Sequence, residues 1–222
     1  MSEENIQIRH SKFNIITLIL IIIVVIETII ISVLFTNLSH ENSTHASIKK
    51  ETNTTKEANF SAKNVSIIGD SITFLSKNTI LKTIPGLKEG NINAKSGRLW
   101  NEGIDIAKKD NKKLQKTVIF ALGTNSTPLK KEDITKALDA IGMDKNIILT
   151  TNYTLEKNYY YNNKLFREFA EEYNNIYLAD WSKAVRDNPT KYLEPDPVHP
   201  NSIGEVLYAK TILKTLKNIK DL

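Results

Sequence analysis

The pattern of hydrophobic and polar positions divides the chain into three parts. An unbroken aliphatic stretch occupies residues 15–35, a polar stretch follows at 36–63, and the remainder mixes short apolar runs with helical periodicities. As a helix, the first stretch would be about 31 Å long, enough to cross a hydrocarbon core of about 30 Å. Its apolar residues surround the helix without a polar stripe, which favours a membrane span over a helix packed on a soluble core.

A cleaved signal peptide is the competing interpretation of this stretch. The apolar region of a signal peptide is usually shorter and ends in small residues, whereas this one ends in VLF, so an uncleaved anchor is favoured. Arg9 and Lys12 precede the stretch, and no Lys or Arg follows it until Lys49. This asymmetry predicts a short cytoplasmic tail at residues 1–14 and an extracytoplasmic location for the bulk of the chain.

Two features near the anchor bear on how the rest of the chain is held. Residues 36–63 are rich in Asn, Ser, Thr, Lys and Glu without apolar periodicity, which predicts a flexible tether with a mean span of about 30 Å. Glu27 lies inside the apolar stretch, where an ionisable side chain is costly. It is interpreted either as a contact with a partner helix or as a protonated Glu tolerated in a single span.

The last part of the chain alternates short runs of β-forming residues with helical patterns. The predicted strands cover residues 65–68, 91–94, 117–122, 146–150 and 176–179. Apolar stripes at helical spacing comprise Ile134, Ala137, Leu138 and Ile141; Tyr161, Leu165, Phe169 and Tyr173; and Ile203, Val206, Leu207, Leu213 and Leu216. This alternation predicts βαβ units, and hence one α/β domain over residues 64–222 with a mostly parallel sheet between two layers of helices.

Composition narrows the possible chemistry without identifying it. The chain has no cysteine, which removes disulfides and thiolate metal ligands. With a single histidine in the predicted domain, a zinc site is not expected, and no cofactor is predicted. The net charge of +5 is interpreted either as attraction to an anionic cell-envelope surface or as an ordinary solvated surface, because the lysines are interleaved with acids. Nothing beyond that charge supports nucleic-acid binding.

Small and polar residues follow the predicted strands, at what would be one edge of the sheet. Ser71 lies in GDSIT after the first strand, Gly97 in KSGR after the second, and Asn125 in GTNS after the third. Asp196 and His199 lie in DPVHP, before the last helical stripe. Ligands of open parallel sheets bind beyond the carboxyl ends of the strands, so these residues are expected to meet there. Each segment alone is also compatible with a turn or a helix cap.

His199 is the only histidine of the predicted domain, because the other three precede residue 64. A serine hydroxyl needs a neighbouring base to act as a nucleophile near neutral pH. If that base is a histidine, His199 is the sole candidate, and Asp196 can hold its imidazole across a tight turn. The Ser71 N–H at a helix N-terminus, the Gly97 N–H and the Asn125 amide are candidate donors to an oxyanion.

Taken in this order, the four segments resemble the SGNH (GDSL-type) hydrolase superfamily over about residues 64–217. The signature residues of that superfamily correspond to Ser71, Gly97, Asn125 and His199. Its D-x-x-H pattern makes Asp196 the acid of a Ser-His-Asp triad. The resemblance implies a flavodoxin-like three-layer α/β/α sandwich with a five-stranded sheet, and a serine enzyme that acts on acyl esters.

Within the superfamily, the stretches NAKSGR, TVIFALGTN and LADW are similar to the extracytoplasmic domain of bacterial peptidoglycan O-acetyltransferases. Ser126 stands where that group usually has Gly. That group's domain also usually follows a multi-helix membrane acyltransferase, whereas a single span is predicted here. The resemblance implies O-acetyl transfer to peptidoglycan or another wall glycan, with a membrane partner or a soluble ester as the acyl donor.

Two other functions are also compatible with the sequence. An O-acyl esterase would use the same triad with water as the acceptor, and a non-catalytic protein would serve as a tethered glycan-binding or accessory subunit. The side chains of Trp100, Asn152 and residues 159–161, which are all tyrosines, are interpreted either as the lining of a glycan site or as ordinary packing.

Overall fold

The structure is a computed structural model that describes residues 60–126, 128–154, 158–220 and 222, without the side chain of residue 158. The predicted anchor at 15–35 and most of the predicted tether lie outside the described residues. Within the described ranges, no helix is both long and apolar enough to cross a bilayer. The compact unit begins at Phe60, and Ala62 is fully buried in its core, so packing of the domain includes residues before position 64.

Five parallel strands form one sheet in the order β2-β1-β3-β4-β5. They are β1 (Val65–Gly69), β2 (Ile92–Ala94), β3 (Thr117–Ala121), β4 (Asn146–Thr150) and β5 (Ile176–Ala179). The order places β1 and β3 side by side at the centre, which is the flavodoxin-like arrangement. The predicted α/β fold with a parallel five-stranded sheet is therefore confirmed, with strand limits within one residue of the sequence pattern.

Helices cover both faces of the sheet. They are α1 (Ser71–Leu75), α2 (Lys77–Thr83), α3 (Trp100–Asp110), α4 (Lys131–Ile141), α5 (Asn158–Glu172), α6 (Trp181–Arg186), α7 (Pro189–Tyr192) and α8 (Ser202–Leu216). Successive strand residues point to opposite faces, so Ile67 packs in one core with Ile80 and Tyr208 while Ile68 packs in the other with Trp100. Because both faces are buried, the strands read as continuous apolar runs.

One predicted helical stripe is confirmed and two are partly wrong. All four apolar residues of the α4 stripe are buried. In α5, Tyr161 is 63 % exposed, and Phe166 and Phe169 form the buried face. In α8, Ile203 is 54 % exposed. The buried face of α8 is formed instead by Gly204, Tyr208, Ala209, Ile212, Thr215 and Leu216. Tyr161 and Ile203 lie on the solvent-facing side of the first turns of these helices, whose buried sides carry Asn162 and Gly204 respectively.

Candidate active site

Ser71 is presented at the carboxyl end of β1 by a short turn into α1. Asp70 is the N-cap of α1, and its Oδ1 accepts a hydrogen bond from the Ile72 N–H at 3.0 Å. This cap favours the helix start because it satisfies one of the N–H groups that have no partner inside the helix. The Thr73 hydroxyl lies 3.0 Å from the hydroxyl of Tyr208, which ties α1 to α8 and holds the buried Ser71 in place.

His199 meets Ser71 although the two residues are 128 positions apart in the chain. Its Nε2 lies 2.9 Å from Ser71 Oγ, and its Nδ1 lies 2.7 Å from Oδ2 of Asp196. Oδ1 of Asp196 accepts hydrogen bonds from the N–H groups of Val198 at 3.0 Å and His199 at 2.9 Å. The structure thus brings the three sequence-predicted residues into one hydrogen-bonded row of hydroxyl, imidazole and carboxylate.

The segment that carries His199 is held by residues that sequence reasoning missed. Asn201 caps α8 by accepting from the N–H groups of Ile203 and Gly204, and its Nδ2 donates to the carbonyls of Lys191 and Leu193. A side chain at Gly204 would overlap the carbonyl of Tyr192, so α8 and α7 approach closely. An Asn directly before a helical stripe is an N-cap signal that can be recognised in the sequence. The contacts of Asn201 Nδ2 with the Lys191 and Leu193 carbonyls cannot be recognised there, because they depend on the tertiary structure.

Gly97 lies in an exposed loop after β2, with φ of +69°. This left-handed conformation is costly for residues with a Cβ and is readily adopted by glycine. The Lys95 N–H donates to the Gly69 carbonyl at 3.2 Å, which keeps the loop beside the end of β1. Gly97 therefore lies at the same edge of the sheet as Ser71.

Asn125 follows β3 in a loop that needs Gly123, because φ there is +119° and a Cβ would lie 2.5 Å from the Asn152 Nδ2. Asn125 is exposed, and its Nδ2 donates to the Arg98 carbonyl at 3.4 Å. The next residue, Ser126, accepts a hydrogen bond from the Trp100 N–H at 3.0 Å. The serine that departs from the peptidoglycan O-acetyltransferase pattern thus satisfies a backbone N–H in the first turn of α3.

The candidate glycan-lining residues divide into buried and exposed ones. Trp100 is buried against Phe120, with ring centroids 4.9 Å apart, and so belongs to the core. Asn152 is also buried, and its Oδ1 accepts from the Thr124 hydroxyl at 3.0 Å, so it supports the Asn125 loop. Tyr159 is 8 % exposed. The first helical turn of α5 presents only Tyr160 and Tyr161 of this set to solvent.

The two carboxyl groups around Ser71 have opposite electrostatic environments. Hydrogen bonds from the His199 N–H, the His199 imidazole and the Val198 N–H lower the pKa of Asp196 to about 2. Burial raises the pKa of Asp70 to about 6, and its Oδ2 has no hydrogen-bond partner among the described residues. Asp196 is therefore ionised at neutral pH in a half-exposed position. Burial of Asp70 disfavours its ionised form, because a charged carboxylate loses hydration there.

The burial of Asp70 predicts a pH-dependent gain in stability for Asp70→Asn. The folded state binds the Asp70 proton more tightly than the unfolded chain, so this stabilising contribution is complete below pH 3.8 and is lost as the pH rises through about 6. Asparagine retains a capping oxygen but does not ionise. We expect Asp70→Asn to gain up to about 3 kcal/mol in unfolding free energy relative to wild type between pH 4 and pH 8. Urea unfolding at both pH values measures this difference.

Asp139→Asn is the matched control for that experiment, because Asp139 is an exposed carboxyl group on α4. It measures the effect of an Asp-to-Asn exchange at a solvent-exposed position over the same pH range. If Asp70→Asn showed the same difference from wild type at pH 4 and pH 8, the assignment of Asp70 as a carboxyl group destabilised by burial would be wrong.

Chemically, the site places a hydroxyl beside an imidazole that is itself held by a carboxylate. The hydroxyl–imidazole–carboxylate row can move a proton away from Ser71 Oγ as that oxygen attacks a carbonyl carbon. The residues described by the structure contain no group of three or more His, Asp and Glu side chains that could hold a metal ion.

Known proteins similar to this chain include O-acetyltransferases and a lipolytic protein. No model of a known protein family matches the chain. Over 155 residues, the chain is 32 % identical to the O-acetyltransferase OatA of Staphylococcus aureus (strain NCTC 8325 / PS 47), and the match covers 68 % of the chain. It covers 24 % of that relative, so the chain spans about a quarter of the length of the curated protein it matches.

Solved structures extend the similarity to the fold. The C-terminal catalytic domain of Streptococcus pneumoniae peptidoglycan O-acetyltransferase A, solved with a methylsulfonyl adduct, matches with a TM-score of 0.63 and 26 % identity, covering 73 % of this chain and 96 % of that domain. A lipolytic protein of the G-D-S-L family from Veillonella parvula matches with a TM-score of 0.58 and 16 % identity, covering 70 % and 98 %. At that identity, the second match shows the fold alone.

Proposed function

Because the chain belongs to the SGNH (GDSL-type) hydrolase superfamily, we propose that it is a serine acyltransferase of the cell envelope that moves an acetyl group onto peptidoglycan or another wall glycan. The observation that carries the proposal is the row formed by Ser71, His199 and Asp196, with contacts of 2.9 Å and 2.7 Å. The similarity to peptidoglycan O-acetyltransferases supports the choice of acyl group and acceptor.

In the first half of the proposed reaction, Ser71 Oγ attacks the carbonyl carbon of an acyl ester while His199 Nε2 accepts the hydroxyl proton. Asp196 keeps the proton on Nδ1 and stabilises the imidazolium that forms. The tetrahedral intermediate then breaks its bond to the leaving oxygen, which takes the proton from His199. The products of this half are the free alcohol and an acetyl ester on Ser71.

Negative charge develops on the former carbonyl oxygen during this attack. We assign the N–H groups of Ser71 and Gly97 and the side-chain amide of Asn125 as the donors that stabilise it. Donors held in place before the reaction lower the barrier because they need not reorganise as the charge appears. The Arg98 carbonyl and the Ser126–Trp100 contact keep the loops that carry these donors together.

In the second half, a sugar hydroxyl attacks the acetyl carbonyl of the acyl-enzyme while His199 removes the hydroxyl proton. Collapse of the second intermediate forms the new ester and returns the proton to Ser71 Oγ. Water in place of the sugar gives acetate, and the protein is then an O-acyl esterase. This is the second candidate function, since the same three side chains serve both acceptors.

The proposed location follows from the sequence. The aliphatic residues 15–35 anchor the chain, and Arg9 and Lys12 keep the short tail inside, so the catalytic domain faces the wall. We propose that the acetyl group is supplied by a membrane protein or by a soluble ester. A contact between Glu27 and that membrane protein would give the ionisable residue of the span a role.

The deciding experiment incubates the purified full-length protein with an activated acetyl ester, with and without a peptidoglycan oligomer. Acetylated oligomer, detected by mass spectrometry and absent with Ser71→Ala, is the expected result. Free acetate released at the same rate with or without oligomer would identify an esterase instead. Absence of turnover, together with no labelling of Ser71 by a sulfonyl fluoride, would favour a non-catalytic tethered glycan-binding or accessory subunit.

Removal of the Asn125 amide tests the assigned oxyanion donors. Asn125→Ala should lower kcat by about 100-fold with little change in KM, because the amide acts on the intermediate rather than on the bound ester. Steady-state kinetics with the activated ester measure both constants. The control is Asn175→Ala, which removes an amide bound to the Met143 and Lys145 carbonyls at the opposite edge of the sheet. Equal kcat values for Asn125→Ala and wild type would exclude the amide as a donor.

A further inference from the structure

Arg98 is a buried cation beside the candidate site, with only 4 % of its surface exposed. Its Nη1 donates to the Gly69 carbonyl at 2.9 Å and also to the Asn93 carbonyl, and its Nη2 donates to Oδ1 of Asn93 at 2.8 Å. The planar guanidinium therefore joins the ends of β1 and β2 with two nitrogens at once. A lysine has one nitrogen and cannot form both sets of bonds in the same geometry.

The contacts of Arg98 involve each element that carries a proposed oxyanion donor. Gly69 is the last residue of β1 and lies two positions before Ser71. Gly97 directly precedes Arg98 in the loop after β2. The Arg98 carbonyl accepts from the Asn125 amide at 3.4 Å, which connects the loop after β3. One residue thus sets the spacing between three separate strand ends.

The charge of Arg98 is not neutralised by a direct ion pair. Within the described ranges, no carboxylate lies within ion-pair distance of its guanidinium; Glu102 instead binds Lys95 at 2.9 Å and the Leu99 N–H at 2.8 Å. An arginine remains protonated in proteins. A fixed positive charge at this edge of the sheet favours the negative charge that forms on an attacked carbonyl, more strongly than a solvated charge would.

We propose that Arg98 is a positioning residue of the acyl-transfer reaction, which holds the Gly97 loop against the end of β1 so that the Ser71 and Gly97 N–H groups converge on one oxyanion. This role rests on the proposed function. Arg98 does not touch the reacting atoms; it acts through the spacing of the donors and through its charge. Loss of the guanidinium contacts with Gly69 and Asn93 should therefore slow the chemical step more than it weakens binding of the ester.

The test compares Arg98→Met, Arg98→Lys and Asn93→Ala with wild type, using the full-length protein and an activated acetyl ester. Active-site titration with a fluorophosphonate counts reactive Ser71, so that kcat is expressed per competent site. We expect kcat to fall by about 10- to 100-fold in Arg98→Met, with KM within about twofold. Arg98→Lys should fall less, because it retains the charge, and Asn93→Ala should fall by a few-fold, because it removes only the Nη2 partner.

Arg167→Met is the matched control. Arg167 forms another two-nitrogen contact, to Asp180 at 2.7 and 3.0 Å, on the far side of the sheet next to β5. Its loss should lower thermal stability without changing kcat per titrated Ser71. If Arg98 had only a structural role, Arg98→Met would likewise lower thermal stability without changing kcat per titrated Ser71.

The outcomes separate this inference from the proposed function. Wild-type kcat per titrated site in both Arg98→Lys and Asn93→Ala, with Ser71→Ala inactive, would overturn the role of Arg98 and leave the proposed function intact. Wild-type turnover in Ser71→Ala would overturn both. If Arg98→Met failed to fold, Arg98→Lys and Asn93→Ala would still decide the question, since each removes only part of the guanidinium contacts.

Discussion

Replacement of Ser71 by alanine is expected to lower kcat/KM toward an activated acetyl ester by at least about 10⁴-fold and to abolish acetylation of a peptidoglycan oligomer. The reason is that alanine has no hydroxyl to form the acyl-enzyme, so only binding and the oxyanion donors remain. Ser71 is buried at the start of α1, and the one side-chain hydrogen bond of its hydroxyl among the described residues is with His199 at 2.9 Å. The loss should therefore be chemical rather than structural. Steady-state kinetics and mass spectrometry of the oligomer measure the two effects.

Ser202→Ala is the matched control for this prediction. Ser202 is an exposed serine at the first position of α8, three residues after His199, and its replacement should leave turnover at the wild-type level. Circular dichroism of both variants establishes that the fold is retained. Wild-type ester turnover in Ser71→Ala would remove the catalytic proposal and leave the tethered binding or accessory protein as the interpretation.

Replacement of Asp196 by asparagine is expected to lower kcat by about 10³- to 10⁴-fold while the protein remains folded. An asparagine amide can donate to Nδ1 of His199, which places the imidazole in the wrong tautomer to accept the Ser71 proton. It also removes the charge that stabilises the imidazolium. The loss should be smaller than that for Ser71→Ala, because the Asp196 side chain is 51 % exposed and water can replace part of its contact.

The pKa of Asp196 fixes the charge that this substitution removes. Hydrogen bonds from His199 and Val198 hold that pKa at about 2, so the carboxylate is ionised from pH 5 to pH 9, and wild type and Asp196→Asn compared at any one pH in that range differ by one negative charge. Glu194→Gln is the control, since Glu194 is an exposed acid two residues earlier; it should turn over like wild type. Equal kcat for Asp196→Asn and wild type would show that the contact at 2.7 Å has no role in catalysis.

Much of the candidate site could be predicted from local sequence signals. The runs at β1 and β3 are rich in β-branched residues, whereas the run at β2 is a weaker strand signal. Small or polar residues follow all three runs, so the positions of Ser71, Gly97 and Asn125 after strands were visible in the sequence. His199 was identified because the predicted domain has no other histidine. The sequence also contains the Asn201 cap signal, although its support of the segment before His199 was missed.

The residues that hold the site together were harder to predict. Arg98 reads as one more charged loop residue, yet it is buried between β1 and β2. Asn152 was interpreted as glycan lining or packing and instead supports the loop of Asn125 through Thr124. These contacts join segments that are distant in the chain, and no local propensity or periodicity reports them.

The sequence by itself determined the alternation of strands and helices and the residue types at the strand ends, because propensity, turn chemistry and hydrophobic periodicity act over a few residues. Only the tertiary structure decided that Ser71 and His199 lie 2.9 Å apart, that burial raises the pKa of Asp70 to about 6, and that Arg98 joins the strand ends. Distances, burial and desolvation arise from packing between segments far apart in the chain, so they exist only once the sheet and its two helical layers have assembled.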